Sequence, residues 1–262
     1  MKIKCFAILL ILFSQSVYAV NSFKFTVSRP IVFLKLHPGS TELIELFIHN
    51  SDKTDLKLNL NTYSLSMDEH GNALVLENTN PASQANWLQP EFNNLKIPPD
   101  SNATVPVKIK VPFGISGGKY GVVMFETSQK VRAQNEILLT GRTGTIFMIE
   151  IYGRKKYDSR IIDFSVNGQT NPVNFAVTIR NNGNLHINAK GSIMILGKDN
   201  RIVDRINLNV GTGTILPNHR RVFPAVWKNE KKIVSGNYVA KVRIIVTGVG
   251  KVLEEEKAFI IK

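Results

Sequence analysis

The sequence has very little cysteine. Its 262 residues include a single cysteine, Cys5, which lies near the N-terminus. The rest of the chain therefore cannot form disulfides, thiolate nucleophiles or zinc sites with cysteine ligands. Because hydrophobic residues make up 43% of the chain, we expect a fold that is stabilised by core burial alone.

Long apolar runs are also scarce. The run Cys5–Phe13 has nine residues, whereas a membrane-spanning helix needs about 20. It follows Lys2 and Lys4, and a possible cleavage site follows at Ala19. This order is typical of a secretory signal peptide. We predict a signal peptide over residues 1–19 and an exported protein, periplasmic or secreted, without a transmembrane anchor; the alternative is an N-terminal membrane anchor.

Acidic residues are outnumbered. The chain has 33 Lys and Arg residues against 20 Asp and Glu residues, a formal net charge of +13, and most of this excess lies after residue 159. A basic surface favours acidic partners, such as an anionic cell-wall polymer or an acidic protein. Nucleic acid is not expected, because no recognition motif is present and the protein is predicted to be exported. The alternative is that residues such as Lys241 and Arg243 only solvate outer strand faces.

Helical periodicity is absent after residue 20. Apolar residues instead alternate with polar ones, and short clusters of Gly, Pro, Asn and Asp separate the runs. Alternation with period two is typical of half-buried β-strands. Segments of this kind occur at residues 42–48, 56–60, 105–111, 175–179 and 239–244. We predict an all-β fold.

A weak internal repeat divides the chain. An Asn turn, a Pro turn and a Gly-x-Tyr or Gly-Asn-Tyr strand recur in the same order in both halves. The corresponding residues are Asn50 and Asn181, Pro98 and Pro217, and Tyr120 and Tyr238. The repeat predicts two similar β-sandwich domains, at residues 20–156 and 157–262. It also predicts that Trp227 points into the second core, whereas Trp87 lies in a polar stretch.

The strand and turn motifs resemble those of a known family. The segments are Val27–Pro30, Leu36–Thr41, Leu46–Asn50, Leu95–Asp100 and Gly117–Tyr120. They resemble immunoglobulin-like exported bacterial proteins of the periplasmic pilus chaperone type and, more weakly, WxL-interacting surface proteins. The resemblance implies two immunoglobulin-like sandwiches in tandem, of which the distribution of charge makes the second the basic one.

Pilus chaperones lend an edge strand to an envelope or pilus subunit, and the resemblance implies the same role here. The donor strand would run from Ile137 to Tyr152. Its offered residues would be Ile137, Leu139, Ile146 and Met148. Its core residues would be Phe147, Ile149 and Ile151. The alternative is that all of these side chains belong to the protein's own core.

The family also holds the subunit's C-terminal carboxylate with two basic residues in the cleft between the two domains. Arg29 is the possible match on the first strand. The position nearest the family's strand lysine is Glu150, which would repel a carboxylate, so Arg142 or Arg154 would have to replace the lysine. Arginine suits this role because it can bind a carboxylate in a bidentate manner.

Enzymatic motifs are lacking. The five histidines are isolated, and we found no metal-ligand spacing, nucleophile elbow or phosphate loop. Asp68–Asn72 is interpreted as a hairpin loop in which Gly71 has a positive φ. We therefore predict no catalytic residue, no metal site and no cofactor. The alternative function is an immunoglobulin-like surface module that binds the cell wall or a polysaccharide.

Overall fold

A computed structural model describes residues 24–77, 84–127, 131–132, 138–139, 141–208, 211–228 and 233–262. The predicted signal peptide lies outside these ranges. The regular elements there are β-strands and two short 3-10 turns, at Gln84–Trp87 and Lys198–Asn200. The all-β prediction is confirmed. None of the described residues belongs to a helix that is long and apolar enough to cross a membrane.

The first sandwich consists of two facing sheets. One has the order β1-β3-β8-β6, and the other has the order β2-β12-β9-β4-β5, with β7 also paired to β4. A two-residue pair, β10-β11, lies between β9 and β12 in the chain. The strands are β1 (Phe25–Val27), β2 (Ile31–Leu36), β3 (Thr41–Asn50), β4 (Leu56–Met67), β5 (Ala73–Leu76), β6 (Leu88–Pro90), β7 (Asn94–Ile97), β8 (Ser101–Lys110), β9 (Gly117–Thr127), β10 (Val131–Arg132), β11 (Leu138–Leu139) and β12 (Arg142–Ile151).

The second sandwich has the same plan with fewer strands. A sheet of order β13-β14-β18 faces a sheet of order β16-β15-β19-β20, in which β17 also pairs with β15. Two tandem immunoglobulin-like sandwiches are therefore present, as predicted. The strands are β13 (Ser159–Asn167), β14 (Val173–Asn181), β15 (Ile187–Leu196), β16 (Ile202–Leu208), β17 (Thr214–Ile215), β18 (Arg220–Trp227), β19 (Gly236–Thr247) and β20 (Lys251–Ile261).

Each sandwich encloses its own core. In the first, Leu46, Ile109, Phe125 and Phe147 are completely buried between the sheets. In the second, the core includes Phe164, Ile193, Phe223 and Trp227. The alternating strand patterns explain both cores, because every second side chain of a strand points to the same face. The core prediction for Phe147, Ile149 and Ile151 is confirmed, since all three are buried in the first cluster.

The repeated asparagines have matching structural roles. Asn50 ends β3, is completely buried, and donates from Nδ2 to the carbonyls of Thr54, Ile97 and Pro98 at 2.9–3.0 Å. Asn181 ends β14, is also completely buried, and donates to the carbonyls of Leu185 and Ile215 at 2.8 and 3.0 Å. Each asparagine therefore fixes a strand-end turn against a distant segment of the same sandwich.

Two sets of contacts join the sandwiches. At the linker, the amide of Gly118 donates to the carbonyl of Asn184 at 2.7 Å, and the Tyr120 hydroxyl accepts the amide of His186 at 2.8 Å. In the second set of contacts, the Asp68–Asn72 loop of the first sandwich lies on β18, where the amide of Val222 donates to the carbonyl of Glu69 at 2.7 Å. Gly71 in this loop has φ 86°, which confirms the predicted positive φ.

The chain passes from the first sandwich to the second between Ile151, which ends β12, and Ser159, which begins β13. The predicted boundary after residue 156 falls in this connecting segment. We retain 20–156 and 157–262 as the proposed domain limits.

Candidate functional site

The candidate site is the outward face of the first sandwich's larger sheet, formed by side chains that point away from the first core. On β9 and β12 the register pairs Val122 with Ile146 and Tyr120 with Met148. These side chains form a separate apolar cluster outside the first core. The cluster's buried members are Leu65, Tyr120, Val122, Met124, Met148 and Leu216, and Tyr63, Met67, Val75 and Ile146 pack against them. We call this surface the outward face.

Strand β2 extends the outward face to the edge of the sheet. It runs parallel to β12, with Ile31 opposite Ile146 and Phe33 opposite Met148. Residues paired in this way point to the same side of the sheet. Ile31 is 42% exposed and Phe33 is 66% exposed. The outward face therefore continues from a buried cluster to two large apolar side chains that contact solvent.

The first residues of β12 have a free backbone edge. Strand β9 pairs with β12 along Arg142–Ile151, but β2 pairs only with Ile146–Ile151. Among the described strands, none pairs with Arg142–Thr145 on the side where β2 would continue. Unpaired edges can pair with a strand from another chain. We call this segment, 142–145, the free edge.

Both predicted arginines flank the free edge. Arg142 is half-exposed, donates from Nε to the carboxylate of Glu126 at 3.0 Å, and lies 5.4 Å from the ring centre of Tyr63. Arg29 is exposed, and its carbonyl accepts a hydrogen bond from the Thr145 hydroxyl at 2.7 Å. The linker contacts lie at the other end of β12, because Ile151 pairs with Gly117. The structure therefore does not bring Arg29 and Arg142 to the cleft between the sandwiches.

The acidic side chain at the cleft end of β12 has basic neighbours. Glu150 accepts a hydrogen bond from the Lys155 ammonium group and lies opposite Lys35 on β2. The hydrogen bond from Lys155 holds the pKa of the Glu150 carboxyl below its ordinary value. Glu150 is therefore ionised and paired, so it does not present the unbalanced negative charge that the sequence comparison suggested.

Tyr120 and His186 connect the outward face to the second sandwich. The Tyr120 hydroxyl lies 3.2 Å from Nδ1 of His186, and the two rings meet edge to face. Burial raises the pKa of the Tyr120 hydroxyl above its ordinary value. Burial also lowers the pKa of His186. Both side chains are therefore neutral at pH 7, and the contact is a hydrogen bond between uncharged groups.

The predicted partner-binding residues of β12 lie in different environments. Ile146 and Met148 point away from the first core, as predicted, but Met148 is only 6% exposed because it belongs to the outward-face cluster. Their backbone pairs with both β2 and β9, so a partner strand cannot be added there. Leu139 lies in β11, and Ile137 lies outside the described residues. That these four residues contact a partner stays a prediction.

Sequence analysis missed Ile31, Phe33 and Leu216. In Ile31-Val32-Phe33-Leu34 every residue is apolar, so no alternation shows which side chains point outward. Leu216 precedes the second Pro turn and joins the outward face from the other sandwich. Only the parallel pairing of β2 with β12 and the docking of the two sandwiches identify these residues.

The sequence matches no protein-family model and no curated protein. Solved structures of similar architecture include a class 5 fimbriae chaperone, CfaA, at 14% identity and a TM-score of 0.48, covering 91% of this chain and 99% of that one. A chaperone–tip adhesin complex of CFA/I fimbriae gives 14% identity and a TM-score of 0.49, covering 91% and 98%. A Salmonella enterica SafA pilin complex with the SafB chaperone gives 9% and 0.46, covering 93% and 99%. All three are fimbrial or pilin chaperones or complexes that contain one.

Proposed function

We propose that the protein is an exported, non-enzymatic, chaperone-like protein that binds an envelope or pilus subunit. In this proposal a strand of the subunit pairs with the free edge of β12, and apolar side chains of the subunit cover the exposed part of the outward face. The observation that supports it best is the position of Phe33 and Ile31, both exposed on the strand next to that edge.

The exposed apolar side chains supply binding energy. Fully burying a large apolar side chain contributes roughly 1.5–3 kcal/mol, and Phe33 has two thirds of its surface left to bury. A partner that covers it would therefore gain about 1–2 kcal/mol from this side chain. Ile31 adds a smaller contribution, because less of it is exposed.

The free edge would determine the position and orientation of the added strand. Strand addition links main-chain groups of the two proteins, while side-chain pockets determine which sequence is accepted. Arg29 and Arg142 stand beside the free edge, so we propose that they contact the added segment there. Their proposed role in holding a terminal carboxylate then applies at this end of β12 and not at the cleft.

Capture of a partner from the native envelope fraction tests the proposal with matched variants. Phe33→Ser removes an exposed ring from the outward face, and Phe47→Ser removes one from β3 in the opposite sheet, where Phe47 is 46% exposed. Both variants should keep the wild-type melting temperature within about 2 °C, because exposed substitutions change stability little.

The expected result is that Phe33→Ser captures several-fold less partner than wild type, whereas Phe47→Ser captures the wild-type amount. Replacing Arg29 and Arg142 together by Ala should also reduce capture. Equal capture by both phenylalanine variants would refute binding through the outward face.

A further inference from the structure

A row of three arginines crosses the outer face of the smaller sheet in the second sandwich. The register pairs Arg160 on β13 with Arg180 on β14, and Arg180 with Arg220 on β18. Residues directly opposite each other on antiparallel strands point to the same face. All three side chains are exposed. We call this set the arginine row.

Among the described residues, a carboxylate pairs with one of the three arginines in the row. Like charges placed directly opposite on neighbouring strands destabilise a sheet. Arg220 pairs with the Glu69 carboxylate, which accepts from Nη2 at 2.8 Å and from Nε at 3.0 Å. Arg180 donates from Nε to the neutral amide oxygen of Asn182, at 3.1 Å.

No carboxylate of the described chain lies within 4.0 Å of the guanidinium groups of Arg160 and Arg180. The acidic residue that follows on this face is Asp163, which stands opposite Thr178. Two of the three arginines are therefore available to an outside anion.

A groove follows one end of the arginine row. It has a volume of about 550 Å³ and is lined by Met67, Glu69, Arg180, Asn218, His219 and Arg220. The Glu69 carboxylate enters it from a loop of the first sandwich and pairs with Arg220. The molecule itself thus shows that a carboxylate on a peptide segment can reach this row and pair with it.

The surface beside the arginine row is apolar. Val222, Pro224 and Val226 occupy the outward positions of β18 that follow Arg220, and Val226 is 52% exposed. A lipid headgroup or a wall polymer would match the arginines but not this apolar strip. An acidic polypeptide offers both carboxylates and apolar side chains.

We propose that the arginine row binds an acidic polypeptide segment whose carboxylates lie two residues apart. Adjacent strands are about 4.8 Å apart, so the three arginines span roughly 10 Å. In an extended segment, side chains two residues apart project from the same face at a spacing of about 6.7 Å. Two such carboxylates can pair with Arg160 and Arg180, and the next side chain on the same face of the segment then lies over β18.

The test uses fluorescence anisotropy of a labelled peptide, Gly-Glu-Val-Glu-Val-Glu-Gly, and of its counterpart with Gln in place of each Glu. The row variant is Arg160→Gln with Arg180→Gln. The control variant is Lys190→Gln with Arg205→Gln, which removes the same charge from exposed positions on the opposite sheet. Because the arginine row belongs to the second sandwich, loss of this binding is distinguishable from loss of subunit capture through Phe33.

The wild-type protein should bind the Glu peptide in low salt, and the row variant should bind it about tenfold more weakly, since two exposed ion pairs are lost. The control variant should stay within about twofold of wild type, because long-range charge alone is screened. Equal weakening in the two variants, equal binding of the Glu and Gln peptides, or tighter binding of a polyphosphate of equal charge would each overturn the proposal.

A melting experiment supplies a second readout that needs no ligand. Arg180→Gln relieves the repulsion within the row, so it should raise the melting temperature in low salt, and the gain should shrink in high salt. Arg180→Lys keeps the charge and should show no such gain. A lower melting temperature for Arg180→Gln than for Arg180→Lys in low salt would contradict the assignment of uncompensated charge.

Discussion

Replacing Trp227 by Ala should destabilise the second sandwich more than any surface substitution. Trp227 ends β18 and is 1% exposed. Its ring centre lies 5.5 Å from that of Tyr238 and 6.3 Å from that of Phe259, both in edge-to-face geometry. Its Nε1 donates to the carboxylate of Asp204 at 3.1 Å. The side chain therefore fills the core and also holds β16 against β18.

The expected loss in free energy of unfolding follows from these contacts. Truncating a buried Trp to Ala costs about 3–5 kcal/mol, because it removes transfer free energy and leaves a cavity. Trp227→Phe keeps most of the apolar volume but removes the hydrogen bond to Asp204. A hydrogen bond to a charged group contributes about 1.5–3 kcal/mol, so the Phe variant should lose less than the Ala variant.

Urea unfolding followed by far-UV circular dichroism measures both losses without relying on tryptophan fluorescence. Trp87→Ala is the control. Trp87 is half-buried at the end of a 3-10 turn, with the Lys119 ammonium 6.0 Å from its ring centre, so its replacement should cost well under half as much. Equal and small losses at Trp87 and Trp227 would refute the assignment of Trp227 as a core anchor of the repeated sandwich.

Three further predictions concern the two asparagine turns, the contact between the sandwiches at His186, and export. Asn50→Ala and Asn181→Ala should each cost about 2–4 kcal/mol in the same unfolding assay, because each removes at least two hydrogen bonds that a completely buried side chain donates to backbone carbonyls. A loss at only one of them would contradict the equivalence of the two turns. Because burial lowers the pKa of His186 from its ordinary value of 6.5, the unfolded chain takes up a proton that the folded chain refuses. The stability from this group is full above about pH 6.5 and falls as the pH drops towards the lowered pKa, so wild type should lose more melting temperature between pH 7.5 and 5.5 than His186→Gln, whereas the exposed-loop variant His70→Gln should behave as wild type. N-terminal sequencing of protein from the envelope fraction should find Val20 first, and intact Met1 in a membrane pellet would refute the signal-peptide prediction.

The strands and the two-sandwich plan could be predicted because local patterns determine them. Alternation identified at least half of β3, β8, β14 and β19, and the recurring Asn and Pro turns indicated two units of similar plan. The buried hydrogen bonds of Asn50 and Asn181 give the physical reason for that repeat, since each turn needs a side-chain donor for the carbonyls it encloses.

The candidate site was less predictable because it depends on contacts between distant segments. Alternation in β12 separated Phe147, Ile149 and Ile151 from Ile146 and Met148, but it could not show that Met148 is covered by the outward-face cluster. Nor could it show that Glu150 is paired with Lys155, or that Arg29 and Arg142 lie at the far end of the strand. The arginine row likewise depends on the register of three strands, which the sequence does not display.

Site-specific photo-cross-linking tests the central claim most directly. A photoreactive phenylalanine analogue placed at Phe33 should cross-link to a partner from the envelope fraction, and mass spectrometry should locate the link in a strand of that partner. The same analogue at Phe47, which is exposed on the opposite sheet, should give no link to this partner. A partner that links equally from both positions, or from Phe47 alone, would contradict the claim that the outward face and free edge of the first sandwich bind the subunit.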